Sequence, residues 1–359
     1  MNTRAPVDGF SCPDCGDGVE PTVADRCPDC GGVLTIEYEH DQPVGSENID
    51  DEYADQRRFA PFLPFEPSSI TSLGEGATPL VPCPSLASEL DVADVLIKDE
   101  GRNPTGATVD RGLSLAVTAA SERNRATVAL PTTGHGGQSA AAYAGRAGLD
   151  SHSFVPTRSS HLTKAMINVH GGDMRVVEGR YPDAAEVFEE WADEQAESTA
   201  SEGDAPWVAV DAASPFRREG AKIIVHEIVA ELGESPPDAI VVPTGHGIGI
   251  AGAHAAIQEL RSNGLLEKTP RLVAAQPEGC APIVRATDDE DGFGAWEHPD
   301  TIAGSLEIPA PARGREAVAA VAETEGHAVA VPDDQLLADA VDDTAATGVE
   351  LGLAGGVGV

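Results

Sequence analysis

The chain has 359 residues, of which 60 are Asp or Glu and 23 are Lys or Arg, and its formal net charge is −37. Such an excess of carboxylates repels phosphate backbones and anionic lipid head groups, which excludes a nucleic-acid binder and a membrane-surface protein. Hydrophobic residues make up 41% of the chain, too many for a disordered protein. The length predicts two lobes and one smaller module.

The sequence also indicates the salt concentration and the cellular compartment in which we expect the protein to work. Aromatic residues make up 4% of the chain, and lysine occurs only at Lys98, Lys164, Lys222 and Lys268. Crowded carboxylates repel one another unless concentrated salt shortens the Debye length, so we predict a halophilic protein. No apolar run reaches the roughly 20 residues that cross a bilayer. Met1–Phe10 lacks the basic start and apolar core of a signal peptide, and we expect a cytoplasmic protein.

Four cysteines form two Cys-x-x-Cys pairs separated by eleven residues: Cys12 with Cys15, and Cys27 with Cys30. Each pair is followed by a glycine, which can adopt the positive φ that turns both sulfurs inward. Two such turns supply the tetrahedral Cys₄ set that Zn²⁺ prefers. We predict a zinc ribbon over 1–37 that folds on its metal, with a redox dithiol as the alternative. The remaining cysteines lack this spacing and are expected in the core: Cys83 and Cys280.

The segment that follows is acidic and punctuated by proline. Acidic residues cluster around Asp50, Asp51 and Glu52, and the prolines are Pro61, Pro64 and Pro67. This pattern is typical of a solvated connection, so we predict an acidic linker over 38–72.

Short apolar segments then alternate with helical patterns. The predicted strands are Val95–Lys98, Thr127–Leu130, Ser153–Val155, Met174–Val177, Trp207–Val210, Ala239–Val242, Arg271–Ala274 and His327–Val331. The predicted helices are Arg111–Arg123, Gly137–Arg146, Ser160–Val169, Pro182–Glu197, Pro215–Leu232, Ile250–Ser262, Arg315–Glu325 and Asp333–Ala346. This alternation predicts an α/β fold of parallel sheets with helices on both faces, and ligand sites at the carboxyl ends of the strands.

Two glycine-rich turns connect a predicted strand directly to a predicted helix. They are Thr132–Ser139 and Thr244–Gly249. Glycines let several backbone N–H groups converge, and the helix N-terminus behind them adds partial positive charge, which favours a phosphate or carboxylate ligand. Tight connections without a ligand are the alternative.

Four stretches of the chain together resemble one family: Leu73–Leu80, Lys98–Gly112, Glu219–Lys222 and Gln276–Pro282. They are similar to threonine synthase and its relatives among the fold-type II, tryptophan synthase beta-like enzymes that depend on pyridoxal phosphate (PLP). Some of these proteins also carry an N-terminal zinc ribbon. The resemblance implies a two-lobed PLP-enzyme domain over 73–359, with a small lobe over about 110–195 inserted in the larger one. It also implies lyase chemistry in amino-acid biosynthesis and a homodimer.

Residue 109 departs from the family in the most consequential way. The family pattern Ser-Phe-Lys-Asp-Arg-Gly, whose lysine forms the Schiff base with PLP, aligns with Ala107–Gly112. Val109 therefore occupies the lysine position. A valine has no amine, so it can neither form the Schiff base nor act as the general base that the freed amine becomes.

Other cofactor-facing positions of the family also differ. Its Ser-Thr-Gly-Asn turn, whose Asn meets the phenolic oxygen of PLP, aligns with Thr132–His135, and its phosphate loop Gly-Asn-Gly-Gly-Asn aligns with Gly245–Gly249. Its Glu-Pro-x-Ser motif, whose hydroxyl faces the pyridine nitrogen, aligns with Gly352–Gly355. The resemblance thus assigns these cofactor-binding positions: His135, Gly245, His246, Gly247, Ile248, Gly249 and Gly355.

The two histidines, His135 and His246, both stand where the family has asparagine. Three roles are open: metal ligands assisted by Asp99, Glu100 or Asp110, an altered anion site, or plain hydrogen-bonding replacements.

Two functions remain open from the sequence. The first is a non-catalytic or altered-ligand homologue that binds a small anionic or amino-acid-like molecule. The second is an active threonine synthase or serine/threonine ammonia-lyase type enzyme that uses non-covalent PLP or another lysine. Loss of a residue that supplies both covalent capture and proton transfer removes several orders of magnitude of rate, so we favour the first.

Overall fold

The computed structural model describes residues 7–20, 26–39, 44–199, 206–233, 236–288 and 293–359. Residues 1–6 and 21–25 of the predicted ribbon, and 40–43 of the predicted linker, lie outside the described residues. The chain divides into two compact units, one of Met1–Glu75 with Ala107–Ala221 and one of Gly76–Gly106 with Lys222–Val359. The boundaries predicted at 37, 72 and 73, and the small lobe, stay predictions.

The described residues form the following strands: β1 Val7–Ser11, β2 Gly18–Val19, β3 Thr35–Tyr38, β4 Leu80–Pro82, β5 Leu96–Lys98, β6 Thr127–Pro131, β7 Asp150–Pro156, β8 Asp173–Val177, β9 Trp207–Ala209, β10 Ala239–Pro243, β11 Arg271–Pro277 and β12 His327–Val331. The α-helices are α1 Pro84–Glu89, α2 Val109–Glu122, α3 His135–Ala147, α4 His161–Val169, α5 Tyr181–Thr199, α6 Pro215–Leu232, α7 Ile248–Ser262, α8 Pro282–Asp288, α9 Gly314–Glu323, α10 Asp333–Thr347 and α11 Gly352–Gly356.

The first unit contains a small antiparallel sheet and a larger parallel one. The antiparallel sheet has the order β2-β1-β3 and carries the N-terminal cysteines. The parallel sheet has the order β8-β7-β6-β9. Adjacent side chains of a strand point to opposite faces of the sheet. In β7, Phe154 packs on Phe188 and Trp191 of α5, whereas Ser153 lies beside Gly137 of α3. Helices therefore cover both faces.

The second unit is built on the parallel sheet β10-β11-β12. Its core joins apolar side chains of α7, α9 and β11, among them Ile250, Ile257, Leu272 and Val321. Six of the seven residues of β11, from Leu272 onward, are buried, which accounts for the apolar run in the sequence.

The predicted α/β fold is confirmed, with two differences in detail. Val95–Lys98 was expected to join the parallel alternation, but β5 pairs antiparallel with β4, a strand the sequence did not reveal. The short helices α1, α8 and α11 were also not predicted. They have 6, 7 and 5 residues, too few to display a clear helical period.

The segment predicted as a linker contributes apolar side chains to the interior. A 3-10 helix over Gln56–Phe62 buries Phe59 and Phe62, and Leu63 and Phe65 are fully buried after it. These side chains lie within the first unit, so this part of the segment is anchored by hydrophobic burial.

Candidate functional site

The four N-terminal cysteines converge on one point. All four sulfurs lie within 4.8 Å of one another, with Sγ–Sγ distances of 3.5 Å between Cys12 and Cys30 and 3.6 Å between Cys15 and Cys27. A tetrahedral zinc with Zn–S bonds of about 2.3 Å separates its sulfurs by about 3.8 Å, so the cluster has the right size for the ion.

The two cysteine turns have matching backbones. Gly16 N–H donates to Cys12 O at 2.8 Å and Gly31 N–H donates to Cys27 O at 2.9 Å. Both glycines have the predicted positive φ, +82° and +73°. Gly32 closes the site, because a Cβ there would lie 2.6 Å from the Asp14 carboxylate and 3.1 Å from Cys12 Sγ.

The first turn of α2 holds residue 109. Val109 opens the helix and is half-buried, while Asp110 and Arg111 are fully buried. Gly112 packs against the backbone of α6, where a Cβ would lie 2.6 Å from Arg217 O. Only a glycine permits this approach between helices. The first turn of α2 is therefore fixed by packing, and the side chain at position 109 is a valine.

The first glycine turn lies at the carboxyl end of β6 in the same unit. Gly134 has a φ of +133°, and its N–H donates to Thr132 Oγ1 at 3.0 Å. His135 begins α3 with a solvent-accessible imidazole. The surrounding protein partly removes the ring from water, which lowers the pKa of His135. The negative charge of the Asp110 carboxylate opposes that shift.

Glu75 forms the centre of a buried polar network that the sequence did not predict. Its Oε1 accepts a hydrogen bond from Gln56 Nε2 at 2.9 Å, and its Oε2 accepts from Tyr143 Oη at 2.9 Å and Ser72 Oγ at 3.0 Å. Burial raises the pKa of Glu75, and the hydrogen bonds from its neighbours oppose that rise. Gln56 also donates to Arg111 O at 3.2 Å, which ties the network to α2.

The second glycine turn lies at the carboxyl end of β10, in the second unit. Gly247 has a φ of +84°, and a Cβ there would lie 2.7 Å from Arg313 O. His246 O accepts from Arg313 N–H at 3.0 Å. Ile248 begins α7, so the first N–H groups of this helix have no intrahelical acceptor and can meet an anion. Gln276, at the end of β11, braces the turn by donating to Thr244 O at 3.1 Å.

The C-terminal glycines form α11, which packs within the second unit. A Cβ at Gly356 would lie 2.5 Å from Leu336 O, whereas one at Gly355 would meet only the Leu351 side chain, at 3.0 Å. Gly355, which we predict at the family's serine position, has no side chain hydroxyl.

The structure places the two histidines in different units, His135 in the first and His246 in the second. Their proposed carboxylate helpers have partners: Asp99 accepts from Arg102 Nε at 3.0 Å, and Glu100 accepts from Thr78 Oγ1 at 2.6 Å. In the part of the chain that is described, the cysteine cluster is the sole group of three or more metal-binding side chains.

Three ionisable side chains in the second unit form a buried cluster. Lys222 Nζ donates to Glu259 Oε1 at 2.6 Å, and His226 Nε2 lies 3.0 Å from Glu259 Oε2. The Lys222 and His226 side chains are each 1% exposed. Burial alone would raise the pKa of Glu259, but the charges and hydrogen bonds of Lys222 and His226 outweigh it and lower the pKa to about 2.

We predict that Glu259→Gln lowers the free energy of unfolding by about 3 kcal/mol near neutral pH, because it leaves Lys222 buried without its counter-charge. The pKa of Glu259 is depressed in the folded protein, so its contribution is present above the ordinary pKa of 4.5 and disappears as the pH falls toward 2. Urea unfolding at about pH 6 and about pH 3 measures this loss. The exposed Glu323→Gln is the control, and an equal cost of Glu259→Gln at both pH values would contradict the prediction.

The comparisons with known proteins agree with this architecture. The family model described as "Pyridoxal-phosphate dependent enzyme" matches residues 71–359. The threonine synthase of Methanocaldococcus jannaschii is 30% identical over 332 residues, which cover 91% of this chain and 80% of the relative. The chain belongs to the pyridoxal-phosphate dependent enzyme family. Within that family it is a homologue of threonine synthases.

Two further matches show the breadth of the likeness. The threonine synthase of Mycobacterium leprae is 34% identical over 269 residues, 74% of this chain and 69% of the relative. The crystal structure of a fungal L-serine ammonia-lyase from Rhizomucor miehei superposes with a TM-score of 0.67 at 19% identity, covering 79% of this chain and 84% of the other. The second match shows a shared fold. Among the described residues, no helix is long and apolar enough to span a membrane.

The residues of this family member fit PLP in one respect and not in another. The turn Gly245–Gly249 offers a glycine cradle and free helix N–H groups, which suit the phosphate that the cofactor brings. The Val109 side chain, which we predict at the position of the family's lysine, has no nitrogen for covalent attachment. PLP, where it is bound through a lysine, serves as an electron sink for carbanion chemistry.

Proposed function

We propose that this threonine synthase homologue has given up Schiff-base chemistry and binds a small anionic or amino-acid-like ligand. The observation that carries the proposal is Val109. Its neighbours Asp110, Arg111 and Gly112 keep the family's motif and are packed in place. A scaffold kept intact around an inert side chain supports retention of the fold for binding and loss of the chemistry.

The four lysines of the chain support the same reading. Lys98 Nζ donates to Thr78 O at 2.6 Å and pairs with Glu227 at 2.9 Å and Glu231 at 3.0 Å. Lys222 is paired with Glu259. Lys164 donates to Thr157 O, and Lys268 pairs with Asp238. Each of these amines donates to an oxygen acceptor, and a lysine has to leave such a partner before it can attack a carbonyl.

The turns after β6 and β10 are the ligand-binding positions in this proposal, with His135, Gly245, His246, Gly247, Ile248 and Gly249 as the binding residues and Gly355 as a further position. Helix N-termini favour a phosphate or carboxylate at both turns. In this proposal the imidazoles stand where the family has amide side chains, and a neutral imidazole can donate one hydrogen bond and accept another.

The second candidate is an active threonine synthase or ammonia-lyase with non-covalent PLP. Membership of the family over residues 71–359 favours it. Phosphate release from O-phosphohomoserine separates the two candidates, measured with the full chain, added PLP and molar KCl to screen the charge of −37. We expect no release above the protein-free rate. Phosphate release by the unmodified chain that requires PLP, and that stops when pyridoxine replaces PLP, would establish the second candidate and overturn the first.

We also propose that the four-cysteine cluster binds one structural zinc ion. All four positions would be filled by thiolates, so the ion has no open position for catalysis. We predict one zinc per chain by elemental analysis, a loss of at least 90% of it in Cys27→Ser, and full retention in Cys83→Ser, whose cysteine lies buried outside the cluster. Zinc that persists in Cys27→Ser would contradict this assignment and would favour the histidines as ligands.

A further inference from the structure

The cysteine module contacts the start of α6, and Asp211 just before this helix, through three different contacts. The Phe10 ring meets Phe216 edge-on, with centroids 6.0 Å apart. Tyr38 Oη donates to Glu219 Oε2 at 2.7 Å, and Arg26 pairs with Asp211 at 3.4 Å. All of these residues belong to the first unit. One apolar contact and two polar contacts therefore connect the module to a single helical turn and the residues just before it.

Phe216 extends this connection to other parts of the unit. Its ring is 1% exposed and stacks on Phe65, with centroids 5.4 Å apart. The Arg123 guanidinium, just after the last residue of α2, lies 5.6 Å from the same ring. Phe10 covers one edge of Phe216, so removing the module would expose apolar surface at the start of α6.

The first two turns of α6 are packed against the first turn of α2. A Cβ at Gly220 would lie 2.2 Å from Arg111 O, and a Cβ at Gly112 would lie 2.6 Å from Arg217 O. The two backbones touch, with no side chain between them to absorb a displacement. A shift of one first turn therefore moves the other, because packed interiors transmit strain.

We propose that metal at the four cysteines sets the position of residues 109–112, and that Phe10, Arg26 and Tyr38 are positioning residues for the first turn of α2. This inference rests on the zinc site proposed above. The described module residues, 7–20 and 26–39, bury only four apolar side chains besides two cysteines, namely Phe10, Val33, Leu34 and Ile36. Four such side chains are too few for a core of their own, so the metal supplies a large part of the free energy that folds the module. Without metal, the buried carboxylate of Glu219 loses the Tyr38 hydroxyl and Phe216 loses Phe10.

Hydrogen exchange on the full chain, with its zinc and after removal of zinc by a chelator, tests the inference. We expect amides in the first two turns of α2 and in Pro215–Ala221 to exchange at least about tenfold faster after zinc removal. Amides of α9 and α10, in the second unit, should change less than about twofold. Elemental analysis of the same samples comes first. A chain that binds no zinc refutes the proposed metal site, and this inference with it.

A variant that keeps the metal separates coupling from general destabilisation. Tyr38→Phe removes only the hydroxyl that donates to Glu219, and Tyr53→Phe, whose ring packs under the Arg57 guanidinium, is its matched control. We expect Tyr38→Phe to retain one zinc per chain and to speed exchange in Pro215–Ala221 and the first turn of α2 about threefold or more, with no change in Tyr53→Phe. If a zinc-loaded and a zinc-free chain show equal exchange in α2 and α6, the inference is wrong.

Discussion

The substitution Val109→Lys is expected to give the chain a lysine that captures PLP covalently. The amine would condense with the cofactor aldehyde and expel water, and borohydride would then reduce the new C=N bond to a stable amine. The surrounding helix is already held by the contacts of Gly112 and Gln56, so the new side chain enters a prepared position. We expect close to one reduced PLP per chain by intact mass, against none in the unmodified protein.

A matched control locates the effect at this position. The control is Val169→Lys on α4, because the Val169 side chain is 70% exposed and tolerates a charge. A control within α2, such as Val117→Lys, would bury the charge. It should take up no reduced PLP above the background of the surface lysines. Equal labelling of Val109→Lys and Val169→Lys would contradict the alignment of residue 109 with the family's lysine.

The largest effect on stability is expected from Gly220→Ala. The added methyl would lie 2.2 Å from Arg111 O and 2.3 Å from its carbonyl carbon, so the crossing of α2 and α6 has to open. Overpacking that moves backbone costs about 3 kcal/mol or more in the free energy of unfolding. Urea unfolding measures this cost.

Gly304→Ala is the control for that substitution, because a Cβ there meets no atom within 4 Å and its backbone is not in the left-handed region. We expect it to change the free energy of unfolding by less than about 0.5 kcal/mol. A similar cost for the two substitutions would show that the α2/α6 crossing is more compliant than its geometry indicates.

The sequence predicted those features that depend on neighbouring residues. Two Cys-x-x-Cys pairs with following glycines predict the cluster at Cys12, Cys15, Cys27 and Cys30, because the turn and the ligands lie within a few residues. The parallel strands were found because buried strands such as β6 and β11 are continuous apolar runs. Both signals are local.

Features that depend on distant partners could not be read in the same way. Tyr143 reaches Glu75 across 68 positions, and Tyr38 reaches Glu219 across 181. The residues around a single tyrosine in a helix or strand do not indicate which distant side chain its hydroxyl contacts. The burial of the apolar side chains around Phe59 was not predicted, because the acidic residues before them are typical of a solvated segment. The net charge of a segment describes its exposed side chains and not those that face the interior.

The histidines show a further limit of sequence reasoning. Alignment with the family predicted that His135 and His246 stand at the ends of strands, and the structure places them after β6 and β10. Their chemistry depends on the neighbouring charges and on exposure. Asp110 acts on the pKa of His135, which no spacing rule would have indicated.

The loss of Schiff-base chemistry is tested by the intact mass of the unmodified chain after incubation with PLP in molar KCl and treatment with borohydride. We predict no added mass beyond the trace labelling of a denatured sample, together with near-complete labelling of Val109→Lys. Stoichiometric labelling of the unmodified chain, mapped by peptide mass to Lys98, Lys164, Lys222 or Lys268, would contradict this prediction and would identify the lysine that binds the cofactor.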